Sequence, residues 1–199
     1  MIFLQRRGVR LENERYEEIK ADIIDMYEEC EVHEFPINAF EIAAKLRYNV
    51  IPYSKLSPEK RAECRALSKD GCSELDLNPV TGMYEYNIYY NDAIGTMLSR
   101  IQFTIMHEVG HIRLGHLDDD SDKDEATMES EANFYAAYSI APPPMINQYH
   151  CTSADDLCRY FNTSDEMSGY AYERYLKWLK CGIYYKDYEI HLMSLFGVA

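Results

Sequence analysis

The stretch FTIMHEVGHIRLGH, Phe103 to His116, sets three histidines and a glutamate into a run that otherwise reads as an apolar helix. Residues four apart in a helix are separated by about 400° of rotation, so His107 and His111 project from one face on successive turns and can grip one ion. Glu108 sits roughly 100° around from His107, near enough to reach a metal-bound water without joining the coordination shell. Zinc held this way lowers the pKa of a bound water to about 7 while a carboxylate collects the proton. The plain alternative is an amphipathic helix with two buried, satisfied histidines. A third ligand in the right place separates the two readings.

Three residues compete for that position. His116 lies five residues past His111, whereas the metzincin pattern needs a glycine three and a histidine six residues after the second ligand, and Leu114 and His116 miss both. Glu129 opens ESEANFYAAYSIAPPP on the following helix, with Asn133 one turn later, so Glu129 can reach a metal while the Asn133 amide props a histidine ring from the same side. Glu131 points about 160° away from Asn133. Helical phase therefore prefers Glu129, with Glu131 and His116 as the alternatives.

At 199 residues the chain is long enough for one globular domain, or one plus a small appendage. Its formal charge of -14 argues against a surface that wraps a phosphate backbone, since such binding runs on clustered Lys and Arg. No direct nucleic-acid contact is expected. The N-terminal MIFLQRR offers only four apolar residues before two arginines, and no run reaches membrane-spanning length, so the expected address is the cytoplasm, away from membranes. The six cysteines lie far apart with no C-x-x-C pair and read as reduced thiols.

The pattern of elements is legible around the motif. Glu12 to about Glu31 is amphipathic, with Ile19, Ile23, Ile24 and Tyr27 at helical spacing. A second helix follows Pro36, capped by Asn38, with Phe40, Ile42, Ala43 and Leu46 on its apolar face. YNVIPY is a short β-rich run, and Ser57 with Pro58 opens a short helix. CSELDLNPVTGMYEYNIYYN predicts a hairpin. The long motif helix is expected from near Asp92 to about Leu114, with Gly115 as its stop, and the next from roughly Glu125 to Ile140, ended by APPP. SADDLCRYF and DEMSGYAYERYLKWLK read as shorter helices beyond Met145. This order implies an α+β fold with a helical C-terminal extension.

Together, RIQFTIMHEVGHIRLGH and ESEANFYAAYSIAPP resemble the ImmA/IrrE family of zinc metallo-endopeptidases, with its H-E-x-G-H-x-x-L-G-H helix and its E-x-x-A-N-x-F-A-A helix ending at proline. The likeness covers about Glu12 to Pro144. It implies a compact zincin-like peptidase domain over residues 1–145, with a small antiparallel or mixed sheet and two active-site helices, and a C-terminal extension over 146–199. It also implies a zinc site carried onto His107, His111 and Glu129, with Glu108 as general base. Tyr135 stands where the family often has phenylalanine, and Ser139 and Ile140 where it often has two leucines. Family members commonly cleave or inactivate a DNA-binding helix-turn-helix repressor, frequently encoded by a mobile element in bacteria or phage, so the implied partner is such a protein. The alternative is a non-hydrolytic, zinc-containing antirepressor or antitoxin-linked binding module.

Weaker signals remain. Tyr135, Tyr138, Tyr90, Arg100 and His150 are candidate oxyanion donors, each more simply structural. The run Tyr84 to Tyr90 is either an edge that binds substrate as an added strand or an ordinary core strand. Asp118, Asp120 and Asp122 with Glu129 mimic a calcium loop, but Lys123 stands where the sharp turn needs glycine, which leaves a solvated acidic loop. Ser153 to Lys180 has helix-turn-helix cadence, yet Asp165, Glu166 and Glu173 on its second helix favour protein docking or packing over DNA reading. Trp178, Tyr184 and Tyr185 read as core or interface aromatics.

Overall fold

A computed structural model describes residues 9–93, 95–118, 123–182 and 185–197. The N-terminal Met1 to Gly8, Asp120, Asp122 and Tyr184 lie outside the described residues. The fold is α+β, a small mixed sheet among helices.

Helix α1 (Asn13–Glu29) buries Ile19, Ile23, Ile24, Met26 and Tyr27, the stripe its spacing predicts. Burying each such side chain contributes roughly 1.5–3 kcal/mol against leaving it in water. Helix α2 (Ala39–Lys45) starts where the Asn38 side chain accepts from the Phe40 N–H at 3.1 Å. Strand β1 (Asn49–Pro52) follows, and helix α3 (Pro58–Leu67) is capped by Ser57, whose Oγ accepts from Lys60 N.

Strands β2 (Gly71–Leu77) and β3 (Tyr84–Tyr90) form the expected hairpin, paired from Gly71 with Tyr90 to Leu77 with Tyr84. Strand β1 joins β3 in parallel, Asn49 opposite Asn87. The sheet order is therefore β1-β3-β2, and β3 is its central strand. This corrects the edge-strand reading of Tyr84 to Tyr90: β3 is paired on both sides from Asn87 to Tyr90, and the open edge of the hairpin belongs to β2. Each face of β3 is covered. Ile88 enters the main core, while Tyr89 packs with Tyr53 and Cys64 in a satellite cluster under α3.

Helix α4 (Leu98–Arg113) carries the histidine motif, and it begins later than Asp92. The chain turns first: Asn91 Oδ1 accepts from Ala93 N, Asp92 Oδ1 accepts from Ser54 N, and Gly95 adopts a φ of 92° that breaks helical continuity. Gly115, with φ 69°, closes the C-terminal end. Helix α5 (Glu125–Ile140) is capped by Asp124 through Thr127 N. The prolines that end it also start helix α6 (Pro143–Gln148), because proline is tolerated where a first-turn N–H has no partner. Helices α7 (Ala154–Phe161), α8 (Asp165–Lys180) and α9 (Asp187–Leu195) complete the described chain. Their Leu157, Phe161, Ala171, Tyr175 and Leu192 join the same core as α1, α2, α4 and α5. The six cysteines are free thiols.

Helices α4 and α5 approach most tightly at Gly110. A Cβ there would stand 2.9 Å from Tyr135 Cβ and 3.0 Å from its Cγ. Tyr135 is fully buried, so it has no room to yield. Gly110→Ala is expected to destabilise the fold by about 1–3 kcal/mol through overpacking. Gly169→Ala in α8, where a Cβ meets nothing within 4 Å, is expected to stabilise by about 0.4–1 kcal/mol. Urea denaturation of the two variants checks the contrast.

Candidate metal centre

The tight crossing sets one face of α4 against one face of α5. His107 and His111 stand on successive turns of α4, and their Nε2 atoms lie 3.0 Å apart. Glu129, on the first turns of α5, brings Oε1 to 3.3 Å from His111 Nε2 and Oε2 to 3.7 Å from His107 Nε2. Among the described residues, these three form a group of donors able to hold one metal ion. Donors at about 2.0–2.2 Å from a tetrahedral zinc are separated from one another by about 3.3–3.6 Å, close to the spacing found. The chemistry of the donors also fits a cation. Two ring nitrogens facing each other can share at most one proton, whereas one ion satisfies both lone pairs and the carboxylate.

Electrostatics supports the same arrangement. Burial, reinforced by the neighbouring His111, pushes the His107 ring down to about 3, so it stands as a neutral imidazole. The Asn133 side chain acts as a hydrogen-bond partner of that ring, one turn along α5 from Glu129. Burial opposes charge on His111 too, but its hydrogen bond with Glu129 and the nearby carboxylates raise it overall. Glu129 is held low, first by that hydrogen bond with His111.

Glu108 faces a different environment. It is 5% exposed, and Ser73 Oγ of β2 donates to its Oε2 at 2.7 Å. Burial raises its pKa, against the pull of His111 and Ser73. Strand β2 comes this close because Gly71 lacks a side chain: a Cβ there would meet Thr104 Cγ2 of α4 at 2.4 Å and Tyr89 O at 2.8 Å. The two-residue strand period then carries Ser73 to the face that Gly71 presents to α4. Sequence reasoning passed over Ser73; that period, read together with the glycine, was the available signal.

His116 and Glu131 stand one layer out. His116 Nδ1 lies 3.0 Å from His111 Nδ1, and its Nε2 lies 2.9 Å from Glu131 Oε2. With His111 Nε2 used as a lone pair, its Nδ1–H donates to His116 Nδ1, and His116 Nε2–H donates to Glu131. Burial would raise Glu131, but hydrogen bonds from Arg15, Lys123 and His116 hold it down at about 2. Arg15 of α1 grips that carboxylate with a fork of 2.9 and 2.8 Å. On α4, Arg113 makes the matching fork to Asp22 of α1 at 2.8 and 3.0 Å. Helix α1 thus braces both helices of the site.

Three of the candidate oxyanion donors have packing or pairing roles. Tyr135 packs on Gly110, Arg100 pairs with Asp70 at 2.6 Å, and Tyr90 meets the Phe40 ring edge-on. Of the calcium-like residues, Glu129 belongs to the histidine group, and Lys123 donates to Glu131 at 2.8 Å. Orienting partners of this kind typically change metal affinity by about 10–100-fold. His116→Ala is therefore expected to weaken zinc binding about 10–100-fold while leaving a one-to-one site. A competition titration against a chromophoric chelator measures it, and unchanged affinity would deny His116 any part in orienting His111.

Among the described residues, no helix is long and apolar enough to cross a membrane. No curated protein matches the chain at significant similarity. The family model of the IrrE N-terminal-like domain, Peptidase_M78, matches residues 73–172, from the serine that touches Glu108 through both motif helices and into α8. That match spans half of the chain and contains the whole donor group, and the chain accordingly belongs to this metallopeptidase family.

Proposed function

We propose that the protein is a zinc-dependent endopeptidase that hydrolyses a peptide bond in a regulatory protein. Zinc is held by His107, His111 and Glu129, and Glu108 is the general base. The observation that carries the reading is the division of labour between two glutamates: Glu129 shares the ligand group, while Glu108 stands apart from it, buried and bonded to Ser73. A closed structural site has no use for such a carboxylate, and usually completes its shell with four protein ligands.

Zinc bound there would supply Lewis acidity and bring a water's pKa towards 7. Glu108 accepts a proton from the attacking water as the new C–O bond forms, then passes it to the departing amine as the C–N bond breaks. A carboxylate raised by burial is the stronger base for the first transfer, and the Ser73 hydroxyl fixes its orientation. The substrate lies as an extended strand along the open edge of β2, beside Glu108, so that main-chain hydrogen bonds position it.

The resemblance to repressor-cleaving relatives favours a helix-turn-helix repressor as substrate. The net charge of -14 suits a basic DNA-binding partner. Residues 1–145 form the peptidase unit in this reading, and the extension over 146–199 serves protein docking.

Glu108→Gln is the direct test. It is expected to keep about one zinc per chain while cleavage of a helix-turn-helix protein encoded beside it falls by about 10²–10⁴. Glu129→Ala is expected to lose the zinc, and Glu131→Gln to retain it, as read by metal analysis. If Glu108→Gln still switches the target gene fully, the chain acts by binding, as an antirepressor.

A further inference from the structure

A cavity of about 660 Å³ opens between α1, α5, α8 and the start of α9. Aromatic side chains wall it: Tyr16 from α1, Phe134 and Tyr138 one turn apart on α5, and Trp178 from α8. Its volume lies in the range of small-molecule sites, about 300–1,000 Å³.

Two polar groups on its wall are out of place. Arg174 lays its guanidinium over the Phe134 ring, 5.4 Å from the centroid, and its Nη1 is buried with no hydrogen-bond acceptor among the described residues. The hydroxyl of Tyr138, a residue only 2% exposed, likewise has no partner among them. Arg174 contributes to the electrostatic environment of the Tyr138 hydroxyl, so the two act on one region. Buried donors left without acceptors are rare because each forfeits its hydration for nothing.

The neighbouring carboxylates do not supply the missing acceptor. Glu17 is held by Lys20 at 3.0 Å and Lys186 at 2.8 Å. Glu189 accepts from Trp178 Nε1 at 2.7 Å and from Lys186 N at 3.0 Å. Glu14 on the rim is exposed. A guanidinium in apolar surroundings, in a chain of net charge -14, is what an anionic headgroup on an apolar body would match. The two committed glutamates would repel a polyanion.

We propose that this cavity binds a small organic carboxylate, its acid group accepting from Arg174 and the Tyr138 hydroxyl and its aromatic or aliphatic body lying between Phe134, Trp178 and Tyr16. The site is independent of the hydrolytic reading. It shares α5 with the candidate metal centre, together with α1, whose Arg15 and Asp22 brace that centre.

The probes are phenylbutyrate, octanoate and anilinonaphthalene sulfonate, titrated into the full-length chain by calorimetry or fluorescence, with phenylbutanol as the uncharged control. At least one probe acid is expected to saturate a single site at which phenylbutanol does not compete. Loss of a charge-assisted hydrogen bond predicts an affinity about tenfold or more lower in Arg174→Met, with a smaller loss in Tyr138→Phe. Both variants are expected to melt at or above the wild-type temperature, since each removes an unsatisfied buried group, whereas a purely structural Arg174 would lower it. The proposal is overturned if none of the three probes shows saturable binding, if phenylbutanol competes equally, or if Arg174→Met binds as tightly as the wild type.

Discussion

Everything at the candidate metal centre depends on how closely α4 and α5 are allowed to cross. Only glycine at 110 admits the Tyr135 ring against the backbone of α4, and that approach lets a carboxylate from one helix meet two imidazoles from the other at 3.3 and 3.7 Å. The crossing is braced from outside. Asp22 and Arg15 on α1 make forked ion pairs to Arg113 on α4 and Glu131 on α5, so a single helix fixes the separation of the other two. Ile105, Met106 and Val109 of α4 are buried in the main core.

Three glutamates near one another acquire three different roles from their surroundings. Glu129 is half-exposed and aimed at the histidines, and it stays ionised through its bond with His111. Glu108 is buried against Ser73 and is pushed up, towards the proton affinity a base requires. Glu131 is also buried, yet two cations and His116 hold it firmly ionised, which makes it the anchor of the hydrogen-bond chain leading to His111. Residue type alone does not distinguish these positions. Their partners do.

Much of this was legible in the sequence where the determining physics is local. The caps at Asn38 and Ser57, the stripe on α1 and the bounds of α5 follow from side chains within a turn or two. Helical phase prefers Glu129 to Glu131, and it is Glu129 whose carboxylate lies near His107 and His111. Most of what escaped depends on contacts distant in sequence. The central place of β3 follows from its parallel pairing with β1, which no alternation pattern encodes. The late start of α4 follows from an Asx turn and a glycine in the left-handed region, which apolar periodicity does not register. The serine at Glu108 required the hairpin to be folded onto α4. In the sequence His116 suggests only a metal ligand, whereas its ring bridges His111 to a carboxylate of another helix.

The account stands on one ion held by His107, His111 and Glu129, with Glu108 outside its shell. Diffraction from zinc-soaked crystals, recorded on both sides of the zinc absorption edge, locates that ion directly. The expected anomalous peak lies within ligand distance of both histidine Nε2 atoms and a Glu129 oxygen, with the Glu108 carboxylate unbound to the metal and still accepting from Ser73. A peak coordinated instead by His116 or Glu131, or no peak between the two helices, would contradict it.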